Sequence, residues 1–312
     1  MKYIVCVTNF HILIAGTICQ DWCPSTYRIV DLRRLSHVDD WKVWFKSQCR
    51  GLARLVQCLF DNESHAIVSH PYNLWFSLFI WAGRKASFYD DGVAYYNNSK
   101  IPTRMTANIY CILARKISPL LCERAQGFGY ADILKSAKIE QYYCLYPDVF
   151  LEGKDFFDDK ITSINLIPSK NAGFDNHEFI YPNDGVAVFL DSVPEILAHY
   201  DSVAIFKYFE LKYANSNVQF YYKSHPSKTT SLSILFSKVD WALDIDGSFE
   251  SFVAERDVLD LYSFYSSASM IARVYSAKTN IYCFSTAGTE MLFAGVAPLM
   301  KAIGAEVLCV ES

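Results

Sequence analysis

The sequence predicts an α/β fold built as two domains, and three observations support this prediction. Short apolar strands alternate with longer helix-like stretches, the pattern of parallel strands joined by crossover helices. The chain has 312 residues, a length that accommodates two domains of ordinary size. A polar stretch rich in Gly and Pro, from about residue 152 to residue 184, interrupts the alternation. We therefore place one domain at residues 1–175 and the other at residues 176–312.

The first domain begins with a β-branched run at residues 3–8, and residues 11–19 then have helical character. Its further predicted elements are strands at 66–68 and 86–89, and helices at 41–60 and 106–117.

The second domain begins with an apolar strand at residues 186–190 that ends at Asp191. Strands at 218–222 and 280–284 continue the alternation. Helices are expected from about Ser248 and over residues 270–275. The carboxyl ends of such parallel strands are where nucleotides bind, so we expect a binding cleft between the domains.

The composition is that of a globular protein, with 52% hydrophobic and 20% charged residues. The net charge is −4, which argues against a protein dedicated to binding duplex DNA. Residues 1–156 have a net charge of 18 − 14 = +4, so this half is expected to meet any anionic partner. Basic residues surround the apolar residues 109–113, as in a helix lying on a membrane surface, although a solvated helix face explains them better. These basic residues are Lys100, Arg104, Arg115, Lys116 and Arg124.

The ten cysteines form no CxxC pair and no metal-ligand spacing, so reduced thiols are expected. The apolar stretches at residues 3–20 and 64–83 are both interrupted by polar residues. We therefore expect a soluble or peripheral cytoplasmic protein.

Two carboxylates, Asp90 and Asp91, followed by Gly92, come directly after a predicted strand. One carboxylate of such a pair can act as a general base while the other orients the loop. A simple Asp-Gly turn explains the same residues.

His225 and Pro226 follow another predicted strand, and a histidine there can protonate a departing phosphate. Ser266 and Ser267 precede a predicted helix, where hydroxyls and free backbone N–H groups together bind anions. Taken singly, an exposed loop histidine and plain helix capping explain these residues.

Asp244 and Asp246 have the Asp-x-Asp spacing with which metal-dependent glycosyltransferases bind a divalent ion. An exposed turn before the next helix explains them better.

Together, these motifs occur in a definite order, with 25 residues from His225 to Glu250 and 41 from His225 to Ser266. The combination resembles the bacterial sialyltransferases of the GT-B type, whose signatures are a D/E-D/E-G motif, an HP motif and a late S-S/T motif. It is most similar to the lipooligosaccharide sialyltransferase family. Three further segments carry this likeness: Thr8-Asn9-Phe10-His11, Tyr142-Tyr143 before Pro147, and Phe189-Leu190-Asp191.

The resemblance implies a GT-B fold, with two Rossmann-like domains facing a central cleft. The N-terminal domain would bind the acceptor and the C-terminal domain the CMP-sugar donor. The implied reaction is inverting transfer of sialic acid from CMP-sialic acid to a hydroxyl, expected on galactose, of a surface glycan such as lipooligosaccharide or capsule.

The resemblance also implies roles for individual residues. His225, in its turn with Pro226, would contact the CMP phosphate and assist its departure. Ser266 and Ser267 would hold phosphate oxygens, and Glu250 would accept hydrogen bonds from the ribose. Asp90 would be the base, with Asp91, Asp191 and Asp201 as substitutes. Asp91, Gly92 and His11 would lie on the acceptor side.

CMP is a monophosphate leaving group, so a histidine, hydroxyls and a helix N-terminus can stabilise it without a metal. We therefore expect no metal or other cofactor. The expected partners are CMP-sialic acid and a galactose-terminated, lipid-linked glycan, with no nucleic acid. The expected location is the cytoplasm, peripheral to the inner face of the plasma membrane, and a homodimer is left open.

Two classes of alternative remain. The donor could be another CMP-linked nonulosonic acid, Kdo or a UDP-hexose. The protein could instead be a non-catalytic module that binds nucleotides or glycans, but such a module has no need of a histidine acid at the phosphate.

Overall fold

The chain divides into two compact units, Met1–Leu166 and Ile167–Ser312, described here from a computed structural model. The residues that the structure describes are 1–33, 41–69, 79, 85–90, 92, 96, 139–151, 158–164, 185–225, 229–245, 247–292 and 294–310. The boundary predicted at residue 175 lies outside these residues, so it stays a prediction. So does the predicted cleft.

Unit 1 contains a six-stranded sheet in the order β2-β1-β3-β4-β5-β6, with every neighbouring pair parallel. The strands are β1 (Lys2–Cys6), β2 (Tyr27–Asp31), β3 (His65–Val68), β4 (Lys85–Tyr89), β5 (Ile139–Cys144) and β6 (Ile161–Ser163). The helices are α1 (Asn9–Cys19), α2 (Trp41–Phe60) and α3 (Pro147–Leu151), and a 3₁₀ turn spans Asp158–Lys160.

β1, which lies next to the edge strand β2, is buried on both faces from Tyr3 to Cys6. Ile4 pairs with Ile29 on one side and with Ile67 on the other, and both Ile4 and Ile67 are fully buried. Thr8 then starts α1 as its N-cap, its side chain accepting a hydrogen bond from the His11 N–H at 3.2 Å.

The inner face of α2 packs on β2, the edge strand. The Arg54 guanidinium donates to the Ile29 carbonyl at 2.6 Å, and the Gln48 amide donates to the Arg33 carbonyl at 2.9 Å. An edge strand leaves backbone groups without strand partners, and Arg54 satisfies one of them in β2, as does the Ser47 hydroxyl, which donates to the Asp31 carbonyl at 3.0 Å. The helix is thereby fixed in rotation about its own axis.

Unit 2 contains a second six-stranded parallel sheet, in the order β12-β11-β10-β7-β8-β9. The strands are β7 (Val186–Leu190), β8 (Gln219–Lys223), β9 (Ala242–Asp244), β10 (Val258–Ser263), β11 (Asn280–Ser285) and β12 (Ala305–Cys309). The helices are α4 (Pro194–Leu197), α5 (Ser202–Tyr213), α6 (Ser231–Phe236), α7 (Phe249–Glu255), α8 (Ser267–Tyr275), α9 (Ala287–Leu292) and α10 (Ala297–Ala302).

Aromatic side chains dominate the core of unit 2. Phe189, in the middle of the sheet, has its ring centroid 4.6 Å from that of Phe209 on α5. The rings of Phe236, Phe264 and Phe284 also surround it, each within 6 Å. Because these rings come from two helices, another strand of the sheet and a loop, they join the elements around β7 into one core.

The α/β prediction is confirmed, as are the strands at 186–190 and 280–284 and the helix at 41–60. The helix predicted at residues 106–117 lies outside the described residues. None of the described helices is both long and apolar enough to cross a membrane. The eight cysteines in the described part of the chain are free thiols.

Candidate functional site

The strand order of unit 2 is that of a doubly wound sheet, in which β7 lies between β8 and β10. Chain progression reverses between β7 and β10, and ligands of such sheets bind at the carboxyl ends of the strands at this switch point. The segments that leave β7, β8 and β10 at this edge begin at Asp191, Ser224 and Phe264.

Ser266 lies between β10 and α8, and Ser267 is the first residue of α8. Ser266 is the N-cap of this nine-residue helix, and its hydroxyl accepts a hydrogen bond from the Ala268 N–H at 3.2 Å. Both serines are half-buried. The predicted helix N-terminus is confirmed, and the positive end of the helix dipole favours an anion at this place.

The residue just before this cap has an unusual backbone. Tyr265 has φ = 49°, the only positive φ among the non-glycine residues described. This conformation is uncommon for a bulky residue, and such strained residues cluster at functional sites. Two contacts hold it in place: its hydroxyl bonds to the Ser285 hydroxyl at 3.0 Å, and its N–H donates to the Cys283 sulfur at 3.2 Å.

His225 lies two residues beyond β8 and is half-buried. Its segment is tied to both neighbouring strands, because the Asp191 N–H donates to the Lys223 carbonyl at 3.0 Å and the Lys223 ammonium donates to the Ile245 carbonyl at 2.9 Å. The neighbouring Pro226 lies outside the described residues.

The carboxylate of Asp191 is the anchor of the segment that carries His225. It accepts hydrogen bonds from the Ser192 N–H at 2.8 Å and from the hydroxyls of Tyr222 and Thr230. Tyr222 precedes His225 and Thr230 follows it, so one carboxylate holds both ends of the segment. Burial, and then the charge of Asp191, raises the pKa of Tyr222 well above its usual value, so the phenol keeps its proton and donates.

The segments bearing His225 and Ser266 leave the two strands that flank β7. Neighbouring strands are about 4.8 Å apart, so these segments start about 10 Å apart along the sheet edge. The structure therefore brings the predicted histidine and serine pair to one edge of one sheet, on either side of the switch point.

Glu250 lies in the first turn of α7, following the N-cap Ser248. It is half-buried, and its charge adds to burial in raising the pKa of Tyr275, the last residue of α8. Glu250 is therefore near enough to the end of α8 for its charge to act on Tyr275. The ribose contact stays a prediction.

In unit 1, Asp90 follows β4 and its side chain is fully buried. One carboxylate oxygen accepts from the Gly92 N–H at 3.0 Å, and the other accepts from the Leu145 N–H at 3.2 Å and from the Tyr96 hydroxyl. These bonds tie the loop after β4 to the end of β5. A base must contact the acceptor hydroxyl, whereas in this geometry the Asp90 carboxylate accepts hydrogen bonds from Gly92, Tyr96 and Leu145, so its catalytic role stays a prediction.

Gly92 has φ = 93°, which explains the glycine of the motif as the residue that allows this turn. His11 is buried in α1. Its Nδ1 accepts from the Val7 N–H at 3.1 Å and its ring meets the Tyr89 ring edge-on, 5.3 Å between centroids. Asp91 lies outside the described residues, and the acceptor-side roles of all three stay predictions.

Asp201, another of the carboxylates named as substitute bases, also accepts hydrogen bonds, whereas Asp244 and Asp246 were the candidate metal ligands. Asp201 is the N-cap of α5 and accepts from the Val203 N–H at 2.8 Å. Asp244 is exposed at the end of β9, and Asp246 lies outside the described residues. Within the described ranges, no cluster of three or more His, Cys, Asp or Glu side chains could hold a metal ion.

Sequence reasoning missed two features of this edge. It treated Asp191 as part of a family segment and as a substitute base, whereas the structure shows its carboxylate joining residues 222 and 230. It also gave no sign of the positive φ at Tyr265. Hydroxyl residues at positions 229–231 offered a weak signal for the first feature, and nothing in the sequence signals the second.

No known family model matches the sequence, and no curated protein matches it. Solved structures do match. Arabidopsis thaliana UGT89C1 complexed with UDP has a TM-score of 0.55 at 10% sequence identity, covering 99% of this chain and 85% of that protein. The same protein complexed with UDP-L-rhamnose has a TM-score of 0.50 at 10% identity, covering 99% and 84%. The spinosyn rhamnosyltransferase SpnG complexed with thymidine diphosphate is more distant, with a TM-score of 0.48 at 11% identity.

At this level of identity the likeness concerns the fold. With two parallel six-stranded sheets and the architecture of UGT89C1, the chain has the α/β fold of the GT-B type. The predicted GT-B fold is therefore confirmed. The likeness to the sialyltransferase family is supported by the sequence motifs alone and stays a prediction.

Proposed function

We propose that the protein is a glycosyltransferase that moves sialic acid from CMP-sialic acid to a hydroxyl of a surface glycan, with inversion. One observation carries the proposal: His225 and the Ser266–Ser267 pair flank β7 at the switch point of a doubly wound sheet. The GT-B fold supports a nucleotide-sugar enzyme as an analogy of fold. The choice of CMP-sialic acid rests on the motifs.

In the proposed reaction, the bond between the anomeric carbon of the sugar and the CMP phosphate oxygen breaks. The leaving phosphate gains negative charge, which the N-terminus of α8 and the hydroxyls of Ser266 and Ser267 stabilise. His225 donates a hydrogen bond or a proton to that phosphate. The acceptor oxygen forms the new bond from the opposite face of the sugar, and its proton passes to a base.

The rigidity of this edge has a role in the proposal. The carboxylate of Asp191 and the contacts of Tyr265 hold both phosphate-binding segments before the donor arrives. Hydrogen-bond donors that are oriented in advance can stabilise the negative charge that develops on the phosphate, because they need not reorganise during the reaction. Asp191 and Tyr265 thus serve as positioning residues.

A UDP-hexose donor is the second candidate, and a specific observation favours it. UGT89C1, which shares the fold, was solved with UDP and with UDP-L-rhamnose. A diphosphate donor would use the same switch point of unit 2, but it would carry one more phosphate to be stabilised.

The test begins with binding. CMP is expected to raise the thermal midpoint of the purified protein more than UDP does, because a ligand that binds only the folded state stabilises it. CMP release from CMP-sialic acid is then followed with and without a galactoside acceptor. A larger shift with UDP, together with turnover of a UDP-hexose, would replace the first candidate by the second.

Two substitutions on one helix provide a matched control. Ser266→Ala removes the hydroxyl at the start of α8, and Ser276→Ala removes one at its C-cap. We expect Ser266→Ala and His225→Ala to slow CMP release both to acceptor and to water, and Ser276→Ala to leave it unchanged. If His225→Ala retains full activity, the phosphate site lies elsewhere.

The acceptor side of the proposal follows from the family resemblance. We propose a galactose-terminated, lipid-linked glycan as acceptor and a location at the cytoplasmic face of the membrane, without a metal or other cofactor. Activity with a lipid-linked acceptor, together with no activity on free galactosides, would show that the enzyme requires the lipid part of its acceptor.

A further inference from the structure

The outer surface of α2 differs from every other described helix surface of the protein. Fourteen large hydrophobic side chains are exposed in the described part of the chain, and six of them belong to this one helix. They are Trp41, Val43, Phe45, Leu52, Val56 and Phe60. Trp41 is 61% exposed and Phe60 is 82% exposed, values that leave most of each ring in contact with solvent.

Five of these six residues form a stripe, and Val43 lies on another side of the helix. With about 100° of rotation per residue, Trp41, Phe45, Leu52 and Val56 fall within an arc of about 60°, and Phe60 follows at its border. The stripe extends along a 20-residue helix, which is about 30 Å long. Contiguous exposed apolar surface of this kind marks an interaction site.

A basic stripe runs beside the apolar one. Lys42, Lys46 and Arg50 are exposed and recur every fourth residue, so they share one face of the helix. Residues 41–60 contain no acidic residue at all. The Lys42 ammonium lies 6.0 Å from the ring centroid of Trp41, at the border between the stripes. We call the two stripes together the outer face of α2.

The remaining side of the helix, between the two stripes, is fixed to the sheet. Arg54 and Gln48 bond to the backbone of residues 29 and 33, and Leu55 and Cys58 are fully buried. The helix cannot rotate to hide its apolar stripe without breaking these contacts. The outer face is therefore a fixed feature of the folded unit.

The charge of the outer face of α2 favours an anionic membrane over a second copy of the chain as its binding partner. A second copy of the same face would bring basic stripes together with no acidic residue within 41–60 to offset them, and like charges repel. Anionic lipid headgroups complement the basic stripe, while the aromatic and aliphatic side chains suit the boundary between headgroups and acyl chains. Lysine and arginine stems can lie along that boundary with their charges in the headgroup layer.

We propose that the outer face of α2 is a docking surface for an anionic membrane, with the helix lying in the plane of the membrane interface. This surface is separate from the switch point of unit 2, and the proposal does not depend on which sugar the protein transfers. It gives a location on the described chain to the membrane contact that the sequence analysis expected at residues 100–124, which lie outside the described residues.

The test uses the full chain and vesicles of two compositions. One set contains phosphatidylglycerol and phosphatidylethanolamine, and the other contains phosphatidylcholine alone. We expect co-sedimentation with the anionic vesicles and weak or no co-sedimentation with the neutral ones. Binding should decline as salt is raised from 50 to about 300 mM, since screening shortens the range of the attraction.

The variants separate charge from apolar insertion. Replacing Lys42, Lys46 and Arg50 by Gln should weaken anionic binding about 100-fold, given the usual contribution of a basic residue near such a membrane. Trp41→Ser with Phe60→Ser should also weaken it, and Trp41→Phe should reduce quenching of protein fluorescence by brominated lipids. All these side chains are exposed, so the thermal midpoint should stay close to that of the unaltered protein.

The matched control removes three exposed lysines of unit 2, at positions 207, 238 and 278, in the same way. If this control loses as much vesicle binding as the α2 triple variant, the attraction is a property of total charge and the proposal fails. It fails equally if the unaltered protein does not bind anionic vesicles at low salt. A dimer that dissociates on Trp41→Ser with Phe60→Ser, without vesicle binding, would show that a second copy covers the face.

Discussion

Replacing Asp191 by Ala tests whether this carboxylate anchors the segment that carries His225. The substitution removes the acceptor for the Tyr222 and Thr230 hydroxyls, and both residues are buried, with 3% and 4% exposure. The Ser192 N–H loses its partner as well. Since the anchor joins both ends of one segment, the variant should be both less stable and less active.

The magnitude follows from the number of bonds lost. A hydrogen bond to a charged group contributes about 1.5–3 kcal/mol, and a buried donor left without a partner costs about 1–3 kcal/mol. With two buried hydroxyls affected, we expect Asp191→Ala to lower the free energy of unfolding by about 3–5 kcal/mol. Tyr222→Phe removes only one of the donors and should cost about 1–2 kcal/mol.

The assay is urea unfolding followed by fluorescence and by circular dichroism. A change in midpoint with an unchanged slope would report a change in stability alone. The double variant Asp191→Ala with Tyr222→Phe completes a mutant cycle, and the two changes should be clearly non-additive because the residues share a bond.

Two results would refute this reasoning. A loss below about 1 kcal/mol for Asp191→Ala would mean that the carboxylate does not stabilise the segment. Full stability combined with loss of sugar transfer would instead identify Asp191 as the base that activates the acceptor.

Three further predictions follow from the structure and the proposed reaction. Asp90→Asn should cut transfer by about 10²–10⁴-fold if Asp90 is the base. Because both carboxylate oxygens accept backbone N–H bonds, from Gly92 and Leu145, the substitution should also lower the free energy of unfolding by about 1–3 kcal/mol. A loss of stability with normal turnover would show that Asp90 has a structural role only. Burial lowers the pKa of His65 to about 4 against the opposing effect of Glu140. As the pH falls, the His65 imidazole is therefore protonated in the unfolded chain before it is protonated in the folded protein. The free energy of unfolding should decrease by up to about 3 kcal/mol as the pH drops from 6.5 towards 4. In urea titrations across that pH range, His65→Asn should show a smaller decrease. Transfer should survive excess EDTA, and a loss that Mn²⁺ restores would return Asp244 and Asp246 to consideration.

Periodicity in the sequence predicted the elements whose burial is uniform. The strand at 186–190 is buried at every position, and its apolar run is unmistakable. The strands β2 and β10 were not predicted. β2 is a half-exposed edge strand, and β10 carries Asp260, a charged residue in the interior of a sheet. The structure shows why Asp260 is tolerated: it accepts hydrogen bonds from the Tyr213 hydroxyl and the Asn280 amide at 2.9 Å.

The sequence predicted individual residues of the candidate site, but it could not predict which strands and side chains pair to bring them together. A Ser-Ser pair before an apolar helix predicts a cap, and Ser266 is one. Nothing local, however, shows that β10 pairs with β7, because this pairing depends on sheet order across more than 60 residues. The bond between Asp191 and Thr230 has the same origin, since it spans 39 residues and depends on tertiary packing.

The position of β7 has a consequence for how unit 2 responds to a ligand. The strand is buried throughout and is paired on both sides, with β8 and with β10. Its amides can exchange their hydrogens with solvent only when those pairings open, which requires disruption of the aromatic core around Phe189. A nucleotide bound at the switch point would therefore slow exchange in the segments after β8 and β10, while β7 already exchanges at the slow limit of the unit. Ligand binding would therefore change hydrogen exchange in the loops of unit 2 and leave exchange in β7 unchanged.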